Sequence, residues 1–198
     1  MAEPLRSISG EEMNELLARR LAQLRKARNL SFDALAARSE ISKGMLVSME
    51  KGQANPSIAT LCKLAAALRV SMAQLLEQDP RSESSVRVLS HHQANVLWRG
   101  PKGGLGSLLV GSAGPDMLEL WEWTLHPGES FESKGHPPGT VELLSVREGT
   151  LELEIDGGDH LVPAHHCAMA VTDRPHAYRC HGEKRTRFSM VVHEPVIR

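Results

Sequence analysis

"ISKGMLVSMEKGQANPS", residues 41–57, decides how the front of the chain is read. A short apolar stripe runs through it, Ser42-Lys43-Gly44 opens it, and Lys51-Gly52 closes it. Ser42 is a good cap and Gly52 a good stop, so the stretch predicts a helix ending near Gly52. At helical spacing Leu46 and Met49, with Met45 in part, point one way. Lys43, Gly44, Val47 and Ser48 point the other way. This second face is small, basic and hydroxylic, with one β-branched side chain. Such a face suits the major groove of DNA: Lys reaches guanine acceptors, Ser bonds base edges, and Val touches a thymine methyl. Gly44 lets the backbone approach closely, and a helix N-terminus favours a phosphate. The same residues also fit the solvated face of a small bundle, so the neighbouring sequence has to arbitrate.

The neighbours are helical and basic. Met13, Leu16, Leu17, Leu21 and Leu24 recur at helix spacing between Glu11 and Arg28. Ser31 caps a second segment, "FDALAARS"; Pro56 and Ser57 start a fourth, "IATLCKLAAALR"; "SMAQLLE" (71–77) is a capped fifth. Two helices and a tight turn within about twenty residues make a helix-turn-helix. Residues 19–72 hold ten Lys/Arg against three Asp/Glu, a net +7, as phosphate neutralisation requires. Residues 81–198 hold twelve against fifteen, a net −3, and all ten histidines lie after residue 90. The whole-chain charge of −1 averages over this split, which argues for two domains with different partners.

The 198 residues, 41% hydrophobic with mixed charge, fit a globular protein. No apolar run approaches the roughly 18 residues that span a bilayer. The start lacks a basic-then-apolar signal, and Cys62, Cys167 and Cys180 are odd in number and widely spaced. A cytoplasmic protein without disulfides or a membrane partner is expected. "QDPRSES" (78–84) reads as a linker, which sets the domains at 1–77, with a core at 18–77, and 85–198. Beyond the linker the period changes. "MLELWEWTL" (117–125), "VELLSVREG" (141–149) and "TLELEIDGG" (150–158) approximate alternation between Gly, Pro and Asp turns, the pattern of an antiparallel sandwich or barrel.

Residues 18–77 resemble a five-helix, phage-repressor-type (XRE-like) DNA-binding domain. The resemblance rests on "LR..R", on Ala36, and on "S.G.L...E.G...PS...L..LA.AL.V....L". It implies that Arg25 and Glu50 form a buried pair joining the first and third helices. It also implies that Ser31, Lys43, Gly44, Ser48 and, in the following loop, Asn55 lie at positions that contact DNA; the outward face of the third helix adds Val47, and its cap Ser42, to these candidate DNA-binding residues. Two residues depart from the family pattern. Phe32 stands where Gln often contacts DNA, and Glu40 stands in the inter-helix turn where Gly is common. A left-handed backbone at Glu40 would cost on the order of 1 kcal/mol.

"GHPPGTVELLSVREGTLELEIDGG" and "DRPHAYRC" resemble the two motifs of a cupin, over about 105–193. The resemblance implies a C-terminal cupin barrel (a double-stranded β-helix, or jelly roll), all-β behind an all-α front. It implies a candidate metal set of His136, Glu142 and His176, with Pro138 in place of a second histidine. Those residue types suit a divalent transition metal such as zinc with open positions. Tyr178 and Cys180 follow His176 at strand period and join it as candidate ligand-binding residues, the Cys180 thiolate as a fourth donor. A metal-free pocket that binds an organic anion is the other reading of these residues. His165 and His166 are read as extra ligands or exposed turn residues. Trp121 and Trp123 are read as barrel wall or dimer contact, and Cys62 as a small core residue. Arg147, Arg174 and Arg179 are read as solvated or as partners for an anion. His91 and His92 have no assigned partner.

An XRE-like domain followed by a small cupin is the architecture of one-component bacterial regulators. The expected function is a ligand-responsive, sequence-specific DNA-binding transcriptional regulator, a homodimer on a double-stranded operator, with a small-molecule effector in the cupin. The alternatives are a metal-dependent cupin enzyme tethered to a helical domain and an antitoxin-like interaction module.

Overall fold

The computed structural model describes residues 10–76, 86–91, 94–112 and 116–195. The linker read at 78–84, together with Glu77 and His92, lies outside them. The chain forms two compact units, one helical and one of β-strands.

Among the described residues, five helices build the first unit: α1 (Gly10–Ala27), α2 (Phe32–Ser39), α3 (Lys43–Glu50), α4 (Ile58–Leu68) and α5 (Met72–Leu75). Serines start four of them. The Ser31, Ser42, Ser57 and Ser71 hydroxyls accept the N–H of Ala34, Met45, Thr60 and Gln74 at 3.1–3.3 Å. Each such cap is worth about 1 kcal/mol. Ser71 and Gln74 complete a reciprocal capping box. Leu17, Leu21, Leu35, Leu46, Met49, Leu64, Leu68 and Leu75 form the buried interior.

Arg25 ties three helices together. Its Nε and Nη2 donate to the two Glu50 oxygens at 2.6 and 2.8 Å, and its Nη1 donates to the Leu30 carbonyl at 3.0 Å. The Phe32 ring lies under the guanidinium, 4.1 Å from its centroid. Phe32 therefore holds the framework, at the position where the resemblance implies a polar DNA contact. Glu40 caps α2 in the left-handed conformation, φ 54°, which accounts for the preference for glycine there.

Among its described residues the second unit has ten strands: β1 (Asn95–Arg99), β2 (Leu105–Gly111), β3 (Met117–Leu125), β4 (Ser130–Ser133), β5 (Val141–Glu148), β6 (Thr150–Ile155), β7 (Gly158–Pro163), β8 (Cys167–Val171), β9 (His176–His181) and β10 (Thr186–Glu194). They make a six-stranded sheet, β1-β2-β3-β10-β5-β8, and a four-stranded sheet, β4-β9-β6-β7. The pairings among β2 to β10 are antiparallel. The alternation read at 117–125 falls on β3, with Met117, Glu119, Trp121, Trp123 and Leu125 buried. The segment read at 150–158 divides at a turn with left-handed Asp156 and Gly157 (φ 55° and 72°) into β6 and the start of β7. The sheets meet through aromatic rings: Trp123 on β3 lies 4.9 Å from Phe131 on β4 and 5.9 Å from Tyr178 on β9.

The turn before β4 is fastened by a buried carboxylate. Glu129 accepts the backbone N–H of Lys102 at 2.6 Å, His126 at 2.8 Å and Gly104 at 3.2 Å. A Cβ on Gly100 or Gly104 would collide with that carboxylate, so glycine is required at both. Burial works against the Glu129 charge. The three N–H donors outweigh it and hold the pKa below the usual carboxylate range.

Two predictions follow from these anchors. Glu50→Ala leaves a nearly buried guanidinium without its counter-charge and should cost about 3 kcal/mol. Thermal melting followed by helical circular dichroism reads this, and an unchanged midpoint would refute the role given to the pair. The lowered pKa of Glu129 means that its contribution is present above the ordinary carboxylate range and lost as pH falls through the lowered value. Glu129→Gln should therefore be less stable than the parent at about pH 7, and the gap should close toward about pH 3. Urea unfolding followed by tryptophan fluorescence measures it; a gap independent of pH would show that the carboxylate charge is not what fastens the turn.

Candidate DNA-reading surface and buried His-Glu-His cluster

Helix α3 packs through Leu46 and Met49, both buried, against α1 and α2. Ser42, Lys43 and Gly44 are exposed at its start, and Val47 and Ser48 are half-buried on the next turn. Gly44 has open space where a Cβ would stand. Ser31 and Asn55 are exposed, Ser31 with its hydroxyl engaged as the α2 cap. Met45 departs from expectation. It is 42% exposed and extends the outer face instead of filling the core, because Leu46 and Met49 complete the buried stripe without it. The Lys43 ammonium is held by Asp33 of α2, a partner that sequence reasoning missed. An acid in the first turn after a serine cap is a common dipole-favoured residue, so nothing in the sequence marks it as facing Lys43.

In the β unit His136, Glu142 and His176 converge, with one ligand atom from each within 4.8 Å of the others. The residues come from different places. Glu142 sits on β5, His176 starts β9 in the other sheet, and His136 stands in the β4–β5 connection. Backbone contacts pin that connection. The His136 N–H donates to the Thr172 carbonyl at 2.9 Å, and the Gly139 N–H donates to Asp173 at 3.2 Å. Gly135, at φ 105°, lets the chain pass the Arg174 backbone, which a Cβ would meet at 2.9 Å.

Hydrogen bonds then orient each group. His176 Nδ1 lies 2.8 Å from the Arg174 carbonyl, which accepts only from N–H. The proton is thus on Nδ1 and the Nε2 lone pair faces the cluster. The buried Tyr178 hydroxyl donates to Glu142 Oε2. That leaves Oε1 3.3 Å from His136 Nε2 and 3.9 Å from His176 Nε2. Buried Oε1 and His176 Nε2 have no hydrogen-bond partner. Both are acceptors, set face to face.

The electrostatics divide the two histidines. Burial opposes charge on His136, but Glu142 beside it, with Glu194 and Glu119, raises its pKa above the usual histidine value. Burial prevails at His176 and lowers its pKa, so this ring is the neutral one. Burial and the Glu142 charge push the Tyr178 hydroxyl up, which keeps its proton available to Oε2.

One expectation about this site needs correction. Cys180 does not join the cluster: its thiol lies 3.0 Å from the Lys184 carbonyl and 3.4 Å from the Thr186 hydroxyl. Strand period places it two residues beyond Tyr178, but the turn after β9 takes the sulfur. Tyr178 does lie at the site, with its hydroxyl committed to Glu142. His165 and His166 are exposed turn residues. Arg174 pairs with Asp173 and Asp156, and Arg179 with Glu152, Glu154 and Asp159. Trp121 and Trp123 are buried wall. Thr172, whose hydroxyl is buried without a partner beside the His136 loop, was not foreseen; threonine at a strand end carries no signal of its own.

Comparison with known proteins gives these two constellations a common setting. A helix-turn-helix family model matches residues 21–75, and a cupin-domain model matches residues 121–193. The chain is 28% identical over 185 residues to the HTH-type transcriptional regulator SutR of Escherichia coli (strain K12), covering 93% of this chain and 98% of SutR. It is 38% identical over 65 residues to an uncharacterized HTH-type transcriptional regulator, y4dJ, of Sinorhizobium fredii, 33% of this chain and 84% of that one. A solved HTH_3 family transcriptional regulator from Vibrio cholerae matches with a TM-score of 0.72 at 29% identity, over 95% of this chain and 100% of that one. The chain belongs to the helix-turn-helix transcriptional regulators that carry a cupin domain. It is a DNA-binding regulator. No helix among the described residues is long and apolar enough to cross a membrane.

Proposed function

We propose that this regulator is switched by a ligand bound at the His136–Glu142–His176 cluster. The observation that carries the reading is the pair of buried, unpartnered acceptors, Glu142 Oε1 and His176 Nε2. Two lone pairs face each other here, with the His136 ring beside Oε1, and a cation that displaces the His136 proton finds a natural seat among them. Two imidazoles and a carboxylate suit a divalent transition metal such as zinc. Bound there, the metal would offer open positions to a small-molecule effector. His136 and His176 would bind through Nε2 and Glu142 through Oε1, with Tyr178 and the Arg174 carbonyl fixing their orientation. In this reading the two sheets close as a cupin barrel around the site.

The exposed side of α3 enters the major groove in the same proposal. Lys43, Gly44, Val47 and Ser48 meet base edges, while Ser31, Ser42 and Asn55 lie near phosphates. A homodimer would span two half-sites about one helical turn, 34–36 Å, apart. Apolar Leu143 and Met169, cross-strand neighbours that are 53% and 71% exposed on β5 and β8, support association through the β domains. The protein would act in the cytoplasm, as regulation rather than catalysis, with effector and operator affinities linked reciprocally.

Selection of genomic fragments by the purified protein at two salt concentrations tests the DNA half. A few enriched palindromic promoters are expected. Salt-sensitive retention without enrichment would leave only phosphate binding and defeat base reading. Calorimetric titration with zinc tests the other half. One site per chain is expected, weakened about 10–100-fold in Tyr178→Phe, which frees Glu142 to rotate. Zinc affinity unchanged in His176→Ala would remove the cluster from metal binding.

A further inference from the structure

Asp33 lies in the first turn of α2 and Glu40 at its C-cap. With Glu50 they are the three acidic residues between 19 and 72. Each is matched to a different cation: Glu50 to Arg25, Glu40 to Lys63 at 3.2 Å, and Asp33 to Lys43. The last pair differs from the first in kind. Both side chains are exposed, 57% for Lys43 and 73% for Asp33, so the contact adds little to folding. Yet its geometry is close. The Lys43 ammonium stands 3.0 Å from each oxygen of the Asp33 carboxylate. Lys43 is also the one basic residue on α3.

We infer that Asp33 is an internal competitor for Lys43 and a determinant of DNA selectivity. This rests on the reading of α3 as the helix that faces DNA. A phosphate or a guanine edge obtains the full charge of the Lys43 ammonium only by drawing it away from the Asp33 carboxylate. On generic DNA that exchange gives one anionic partner for another, and it leaves an uncovered carboxylate facing the phosphates. On the right sequence, Lys43 reaches a base edge while Val47 and Ser48 add contacts, so the exchange favours binding. Asp33 therefore lowers affinity for generic DNA more than affinity for the operator. It separates the two without touching a base.

A double-mutant cycle on the full chain tests this. The four proteins are the parent, Asp33→Asn, Lys43→Ala and the double variant. The probe is a fluorescein-labelled duplex of generic sequence, titrated at several salt concentrations, with circular dichroism as the check on folding. Asp33→Asn is expected to tighten binding about two- to fivefold, the scale on which an exposed ion pair competes. That gain should vanish in the Lys43→Ala background. Lys43→Ala alone should weaken binding and reduce the salt slope by about 1. Equal tightening in both backgrounds would overturn the inference, since Asp33 would then act only as a general negative charge. No tightening in Asp33→Asn would overturn it too. If Lys43→Ala changed neither affinity nor slope, the reading of α3 itself would fail, and the inference with it.

Discussion

A carboxylate taken out of water must be met by charge or by donors, and Glu50, Glu129 and Glu142 show three ways in which this protein answers that demand. Glu50 is met by charge, in the fork of Arg25. Glu129 is met by three backbone N–H groups. Glu142 is met by halves: the Tyr178 hydroxyl satisfies Oε2, and Oε1 is left against imidazole nitrogens. The first two are closed and hold structure. The third is open, and the candidate ligand site lies there. The same chemical demand thus distinguishes scaffold from site by how fully it is answered.

The parts of the fold that were legible depend on short-range chemistry. Serine caps at Ser31, Ser42, Ser57 and Ser71 act over three residues, so helix starts could be placed from the chain alone. The alternation of β3 records burial on one face of a sheet directly. The left-handed backbone at Glu40 follows from its place after a helix end. His136, Glu142 and His176 were nominated by motif resemblance, and the folded chain brings them together across 40 residues.

What stayed hidden depends on partners far along the chain. The Asp33 link to Lys43, the placing of Phe32 under Arg25 and the diversion of the Cys180 sulfur toward Thr186 are all decided by tertiary geometry. Strand period gives the face on which a side chain starts, not the neighbour that captures its last atom. Met45 shows the helical counterpart: a hydrophobic residue beside the core stripe stays outside when the stripe is already full. The orphaned Glu142 and His176 atoms belong here as well, because a missing hydrogen bond leaves no trace in sequence.

Gly44 carries a consequence of a different kind. It lies in the first turn of α3, with empty space where a side chain would grow and no part in the buried stripe. Glycine inside a helix is less stable than alanine there by roughly 0.5–1 kcal/mol. A Cβ at this position therefore meets no atom of the folded chain, and alanine begins with a gain in helix stability. If α3 faces DNA as proposed, residue 44 is a position at which its outward chemistry can change while the Arg25–Glu50 framework stays as it is.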